Sequence, residues 1–137
     1  GALTIGTRDG ANIEILNEVG EQNMFLFGMD ASEVLNAKGS YHPRTVYERN
    51  GDLREAIDSI RRGELGSFDW IVNYLLDSDP YMVLADFESY AAAQKRVEAQ
   101  YQQPYDFTQK SLINIAKSGI FSSDRSVREY AQNIWHI

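Results

Sequence analysis

The sequence predicts an α/β fold with few parallel strands and many helices. Two observations carry that reading. Three short apolar runs are bounded by turn residues: Ala2–Gly6 (ALTIG), Met24–Gly28 (MFLFG) and Tyr81–Ala85 (YMVLA). Most of the remaining chain repeats apolar residues at helical spacing. None of the three runs alternates apolar with polar, and continuous runs of this length suit parallel strands covered on both faces.

The elements follow in order. After the first strand, Asn12–Val19 reads as a helix, and the second strand follows at Met24–Gly28. Short helices are expected over Ser32–Ala37 and Arg44–Arg49. Asp52 with Glu55 three residues later forms a capping-box variant, and Leu53, Ala56, Ile57 and Ile60 then mark one apolar face up to Gly63. Phe68, Ile71, Val72, Leu75 and Leu76 repeat that spacing before Pro80. The third strand is expected at Tyr81–Ala85. Asp86 then stands as N-cap of a helix carrying Phe87, Tyr90, Ala91, Val97 and Tyr101. Pro104 opens another helix, with Leu112, Ile113 and Ala116 turned inward. The last helix has an S-x-x-E box at Ser126 and Glu129, and an apolar face of Val127, Tyr130, Ala131, Ile134 and Trp135.

Strand–helix alternation implies a parallel sheet. Three strands are few for about eight helices, and an apolar strand such as Tyr81–Ala85 wants neighbours on both sides. Gly1 is not Met, and ALTI reads as the inside of a strand. The expectation is a chain cut from a longer one, with residues 1–137 forming a single partial domain.

Composition excludes several functions. The chain has 137 residues, 43% of them hydrophobic and 12% aromatic, enough to build a core. Charged residues make up 24% and are spread along the chain, so no window reaches the ~18 apolar residues of a membrane helix. Cysteine is absent, which removes disulfides, thiolate catalysis and cysteine-ligated zinc. The two histidines, His42 and His136, lie far apart, and no metal site is expected. A net charge of −7 disfavours nucleic acid and anionic membranes as partners. The missing cysteines fit a cytoplasmic protein.

The best-placed candidate site is the turn Thr7-Arg8-Asp9-Gly10-Ala11-Asn12, because ligands gather at the carboxyl ends of strands in open α/β sheets. Its plainer reading is turn chemistry, with Asp9 or Asn12 capping a helix. Gly6 and Gly10 do not spell G-x-G-x-x-G, and no G-K-[ST] follows. Ser122-Ser123-Asp124-Arg125 is a second candidate, a helix start where an anion could sit on Arg125; its plainer reading is capping plus an Arg125–Asp124 pair. His42 and His136 read as surface residues. Asp77 and Asp79, flanking Ser78, read as exposed acids of a turn. Arg61 and Arg62 favour the end of a helix dipole. These residues give no catalytic set.

A resemblance supplies what they do not. Gly1-Ala2-Leu3-Thr4-Ile5-Gly6-Thr7 followed by Asp9-Gly10-Ala11-Asn12-Ile13-Glu14 is similar to the α-glucan (glycogen, starch, maltodextrin) phosphorylases. The likeness continues through Glu18-Val19-Gly20-Glu21, Asn23, Phe25-Leu26-Phe27-Gly28, Tyr41-x-Pro43 and Val83-Leu84-Ala85-Asp86 with Tyr90. It closes at Phe121-Ser122-Ser123-Asp124-Arg125 with Tyr130, Ala131, Ile134 and Trp135, and so covers the whole chain.

The resemblance implies the carboxyl-terminal part of a second Rossmann-like (GT-B type) domain in a dimeric enzyme. That enzyme would transfer a terminal glucosyl unit from an α-1,4-glucan to phosphate and release glucose 1-phosphate. Pyridoxal phosphate would sit on a lysine in a segment preceding the motif at Gly1, and no such segment is present. No position here matches a catalytic or cofactor residue, so this chain carries no cofactor of its own; Asp9 and Asn12 are given a site-supporting role only. Arg8 and Val46 depart from the apolar and aromatic residues common at those positions. The implied partners are the remainder of the polypeptide and, for the isolated chain, a second copy. A free-standing, non-catalytic α/β interaction module is the other reading, and a small-anion binder at Ser122–Arg125 the third.

Overall fold

The computed structural model describes residues 2–64 and 66–137. Gly1, which opens the first motif, and Leu65 lie outside the described residues. The described chain is a helix-rich α/β structure with two strands and eight α-helices. Strand β1 (Ile5–Thr7) is followed by α1 (Gly10–Val19), a 3-10 turn (Glu21–Asn23) and β2 (Phe25–Phe27). Then come α2 (Ala31–Ala37), α3 (Pro43–Arg49), α4 (Gly51–Arg61), α5 (Asp69–Asp77), α6 (Val83–Tyr101), α7 (Pro104–Lys117) and α8 (Ser123–Tyr130). A 3-10 turn (Ser118–Phe121) precedes α8 and a π-helical turn (Ala131–Trp135) follows it. β1 and β2 pair in parallel, and the Phe25 amide donates to the Thr4 carbonyl at 2.8 Å.

The described residues cluster into two compact units, one of residues 2–6, 10–26 and 96–137, the other of 7–9 and 27–95. In the first unit Val19, Met24 and Leu26 form a small core, with Ile15, Leu16 and Ile113 packed on it. Polar side chains finish what this small core begins. Arg96 donates to the Leu26 carbonyl at 2.9 Å, Lys110 to the Gln22 carbonyl at 2.7 Å and the Asn114 amide to the Asn23 carbonyl at 2.8 Å. These bonds decide which face of α7 turns inward. Ser111 is buried and Ile113 packs on the core, whereas Leu112 and Ala116, expected inside, are exposed.

The larger core belongs to the second unit. Leu53, Ile57, Val72, Leu76 and Leu84 are buried together, with Val46, Tyr47, Ile60, Leu75 and Phe87 around them. The spacing of Leu53, Ile57 and Ile60 on α4, and of Val72 and Leu76 on α5, delivers one apolar face from each helix. The start of α4 differs from expectation in its cap. Asn50, not Asp52, accepts from the helix, taking the Leu53 amide at 2.9 Å. α2 has a capping box that the sequence reading passed over. The Asp30 carboxylate takes the Ser32 and Glu33 amides, and Glu33 takes the Asp30 amide at 2.8 Å. The Ser32 hydroxyl, which also donates to this carboxylate at 2.7 Å, holds the Asp30 carboxyl below its usual range, helped by the Glu33 and Ser32 amides.

Two expectations fail at larger scale. Tyr81–Ala85 is no strand: α6 starts at Val83, so the apolar run is the entry to a helix. Buried Asp79 imposes this by accepting the Val83 and Leu84 amides, each at 2.9 Å. Asp86 is accordingly not an N-cap but a first-turn residue with another partner. The last helix also differs. It starts at Ser123, so Ser126 and Glu129 lie inside it and form no box. Of its expected inward face only Ala131 is half-buried; Val127, Tyr130, Ile134 and Trp135 are exposed. Trp135 is 56% exposed and packs on the Tyr130 ring at 6.0 Å, so it does not anchor the helix in a core.

Candidate functional site

The turn after β1 places Thr7 and Asp9 in the second unit, where the Thr7 hydroxyl donates to the Asp9 carboxylate at 2.5 Å. Gly10, with φ of 51°, breaks the extended path and opens α1 two residues before the expected start. Asn12 belongs to the first unit, where it is half-buried over Gly6. A Cβ at Gly6 would stand 2.7 Å from the Asn12 amide group, so glycine is what lets this side chain lie against the strand.

The second unit holds a cleft of about 570 Å³ beside that turn. Thr7 and Asp9 form one wall, and Phe27, Met29 and Val34 continue it. The first two turns of α6 and the residues before it complete the enclosure with Tyr81, Val83, Asp86, Phe87 and Tyr90. The Phe27 and Tyr90 rings meet edge to face at 5.2 Å.

Asp86 organises this cleft. Its Oδ1 accepts the Met29 amide at 3.0 Å, while the Gly28 amide donates to the Ser89 hydroxyl at 2.9 Å. The chain after β2 is thereby fastened to α6. Gly28 has φ of 79°, and a Cβ there would stand 2.5 Å from Asp86 Oδ2, so the backbone conformation and the close carboxylate both require glycine. Burial pushes the Asp86 carboxyl up from its usual range. The Met29 amide opposes that shift, and the charges of Asp79, Glu33 and Asp9 add to it.

Asp79 is the second focus. Expected as an exposed turn acid, it is 1% exposed. The Tyr41 hydroxyl donates to its Oδ2 in a short bond, alongside the Val83 and Leu84 amides. Burial raises the Tyr41 phenol well above its usual value, and the bond to Asp79 raises it further. Asp77 does fit the expectation: it is exposed and pairs with Arg44.

At Ser122–Arg125 the structure differs from the plainer reading of a capped helix with an Arg125–Asp124 pair. Ser122 caps α8 without a side-chain bond, and Arg125 Nε pairs with Glu129 at 3.1 Å rather than with Asp124. His42 is exposed at the start of α3, and His136 is exposed with Nδ1 3.0 Å from the Gln132 carbonyl oxygen. Arg62 pairs with Glu55 and Glu64 at 2.7 and 2.6 Å. Among the described residues no three His, Cys, Asp or Glu side chains stand together to hold a metal. No helix among them is long and apolar enough to cross a membrane. The cleft presents aromatic rings and two carboxylates, and neither histidine lines it. Sequence reasoning missed buried Asp79 and half-buried Asp86 as anchors. The signal for Asp79 was an Asp four residues before an apolar helical start.

Comparison with known proteins gives a consistent result. A family model described as carbohydrate phosphorylase matches residues 1–137. A glycogen phosphorylase of Chlamydia pneumoniae is 42% identical over 143 residues, covering 100% of this chain and 17% of that protein. The Bacillus subtilis glycogen phosphorylase is 46% identical over 144 residues, covering 100% of the chain and 18% of that protein. The brain form of glycogen phosphorylase from Bos taurus is 46% identical over 142 residues, 98% of the chain and 17% of that protein. The chain thus spans less than a fifth of the length of these relatives.

Proposed function

The chain belongs to the carbohydrate phosphorylase family, and from that premise we propose that it is the carboxyl-terminal segment of an α-glucan phosphorylase. The parent would move a terminal glucosyl unit from an α-1,4-glucan to phosphate, in the cytoplasm, with neither nucleic acid nor membrane as partner. The observation that carries this reading is end-to-end likeness to glycogen phosphorylases of which the chain spans 17% and 18%.

The family resemblance gives the parent pyridoxal phosphate on a lysine. The lysines of this chain do not fit that group. Lys38, Lys95 and Lys117 are exposed. Lys110 donates to the Gln22 carbonyl at 2.7 Å and lies 6.0 Å from the centre of the Phe25 ring. An imine-forming lysine works from a desolvated amine, which these positions do not offer. The cofactor's seat therefore belongs to the remainder of the polypeptide. This chain's part is support: it continues the Rossmann-like domain, and Asp9 and Asn12 each have a site-supporting role.

With glycogen, phosphate and pyridoxal phosphate, the isolated chain is expected to release no glucose 1-phosphate above a mock preparation. Turnover would overturn the supporting role. The same reading makes the isolated chain self-associate, because Val127, Tyr130, Ile134 and Trp135 expose apolar surface on one helical segment. A single monomeric species in sedimentation velocity at rising concentration would contradict that.

A further inference from the structure

We propose that the cleft beside Asp9 and Asp86 binds a small organic cation, an ammonium or amidinium carried on an aromatic or aliphatic body. Its volume, about 570 Å³, lies in the ~300–1,000 Å³ range of small-molecule pockets. Its walls come from four stretches of chain, around Thr7, Phe27, Val34 and Tyr81–Tyr90, and they make a concavity rather than a flat strip. That shape takes a compact molecule better than an extended peptide.

The lining is selective in sign. Its charged side chains are Asp9 and Asp86, both acidic. The further charges acting on Asp86, those of Asp79 and Glu33, are acidic too. The nearby cation, Arg8, is not among the lining residues, and its charge acts on Asp30. An anion would meet repulsion, and a neutral ligand would leave the carboxylates uncompensated. A cation gains on both counts. A carboxylate accepts a charge-assisted bond from N–H⁺, and the faces of Phe27, Phe87 and Tyr90 attract positive charge. Asp86 Oδ1 already holds the Met29 amide, so the carboxylate is fixed in place before a ligand arrives. Asp9 stands exposed at the mouth. Apolar side chains of Met29 and Val34 take the body of the ligand.

The test is an amide NMR titration of the 137-residue chain at low salt with benzamidinium, the neutral isostere benzamide and benzoate. Benzamidinium is expected to give saturable shifts at Phe27, Met29, Asp86 and Tyr90, at least about tenfold tighter than benzamide, with no saturation by benzoate. Asp9→Asn and Asp86→Asn are each expected to weaken benzamidinium about fivefold or more; the latter keeps an oxygen for the Met29 amide. A thermal melt of each variant checks the fold, and should Asp86→Asn fail to fold, Asp9→Asn alone decides. Equal affinity for benzamide or benzoate overturns the proposal, as does unchanged binding by the folded variants. Binding of an arginine-bearing peptide where free benzamidinium does not bind overturns it too, in favour of a protein partner.

Discussion

Replacing Asp79 by Ala is expected to cost about 3–5 kcal/mol, a large share of the ~5–15 kcal/mol that holds a domain together. The carboxylate is 1% exposed and accepts three bonds, from the Tyr41 hydroxyl and the Val83 and Leu84 amides. Each bond to a charged acceptor is worth roughly 1.5–3 kcal/mol, and Ala leaves all three donors without it. The loss falls where α6 begins, so Leu84 would leave the core with the first turn. Tyr41→Phe removes a single donor and is expected to cost less, about 1–2 kcal/mol. Denaturant titration measures both; an Asp79→Ala cost below about 1 kcal/mol would refute the anchoring role. The Tyr41 bond also has a pH signature. The folded state keeps the phenol protonated, whereas the unfolded chain ionises near its ordinary value of about 10. This stabilisation is therefore complete below pH ~10 and lost as pH rises above it. Tyr41→Phe should remove that alkaline loss.

Leu53→Ala is expected to cost about 2–5 kcal/mol. Leu53 is 2% exposed among Ile57, Val72, Leu76 and Leu84, so truncation removes buried apolar contacts and opens a cavity in the cluster. Leu112→Ala should change stability by no more than about 0.5 kcal/mol, because Leu112 is 59% exposed. Comparable losses at the two positions would mean that α7 turns its other face inward.

That pair shows what periodicity conveys. α4 and α5 bury the centre of the faces their apolar spacing marks, Leu53 and Ile57 on one and Val72 and Leu76 on the other, while Ala56 and Phe68, expected on those faces, are exposed. On α7 the apolar residues Leu112, Ile113, Ile115 and Ala116 spread over nearly half of the circumference, a stripe too broad for spacing alone to say which edge turns inward. Lys110 and Asn114 choose it, through bonds to the carbonyls of Gln22 and Asn23. No local pattern announces such bonds across about ninety residues of chain. The run Tyr81–Ala85 was misread for a related reason. A few apolar residues in a row satisfy strand and buried-helix templates equally, and Asp79 decides between them. At the site, the turn after β1 was legible from Asp9 and Gly10 following an apolar run. The cleft was not, because Asp86 and Gly28 meet only in three dimensions. The last helix carries an apolar face at helical spacing, yet all of that face but Ala131 stays exposed; its composition records a need for cover and does not say where the cover lies.

The most direct measurement of the central claim is a chimera. In the Bacillus subtilis glycogen phosphorylase, 46% identical over the matched stretch, that stretch is replaced by this chain, and glucose 1-phosphate release from glycogen is followed beside a variant with the stretch deleted. The chimera is expected to regain phosphorolysis that the deletion variant lacks. A folded chimera without activity, or a deletion variant as active as the intact enzyme, would contradict the account.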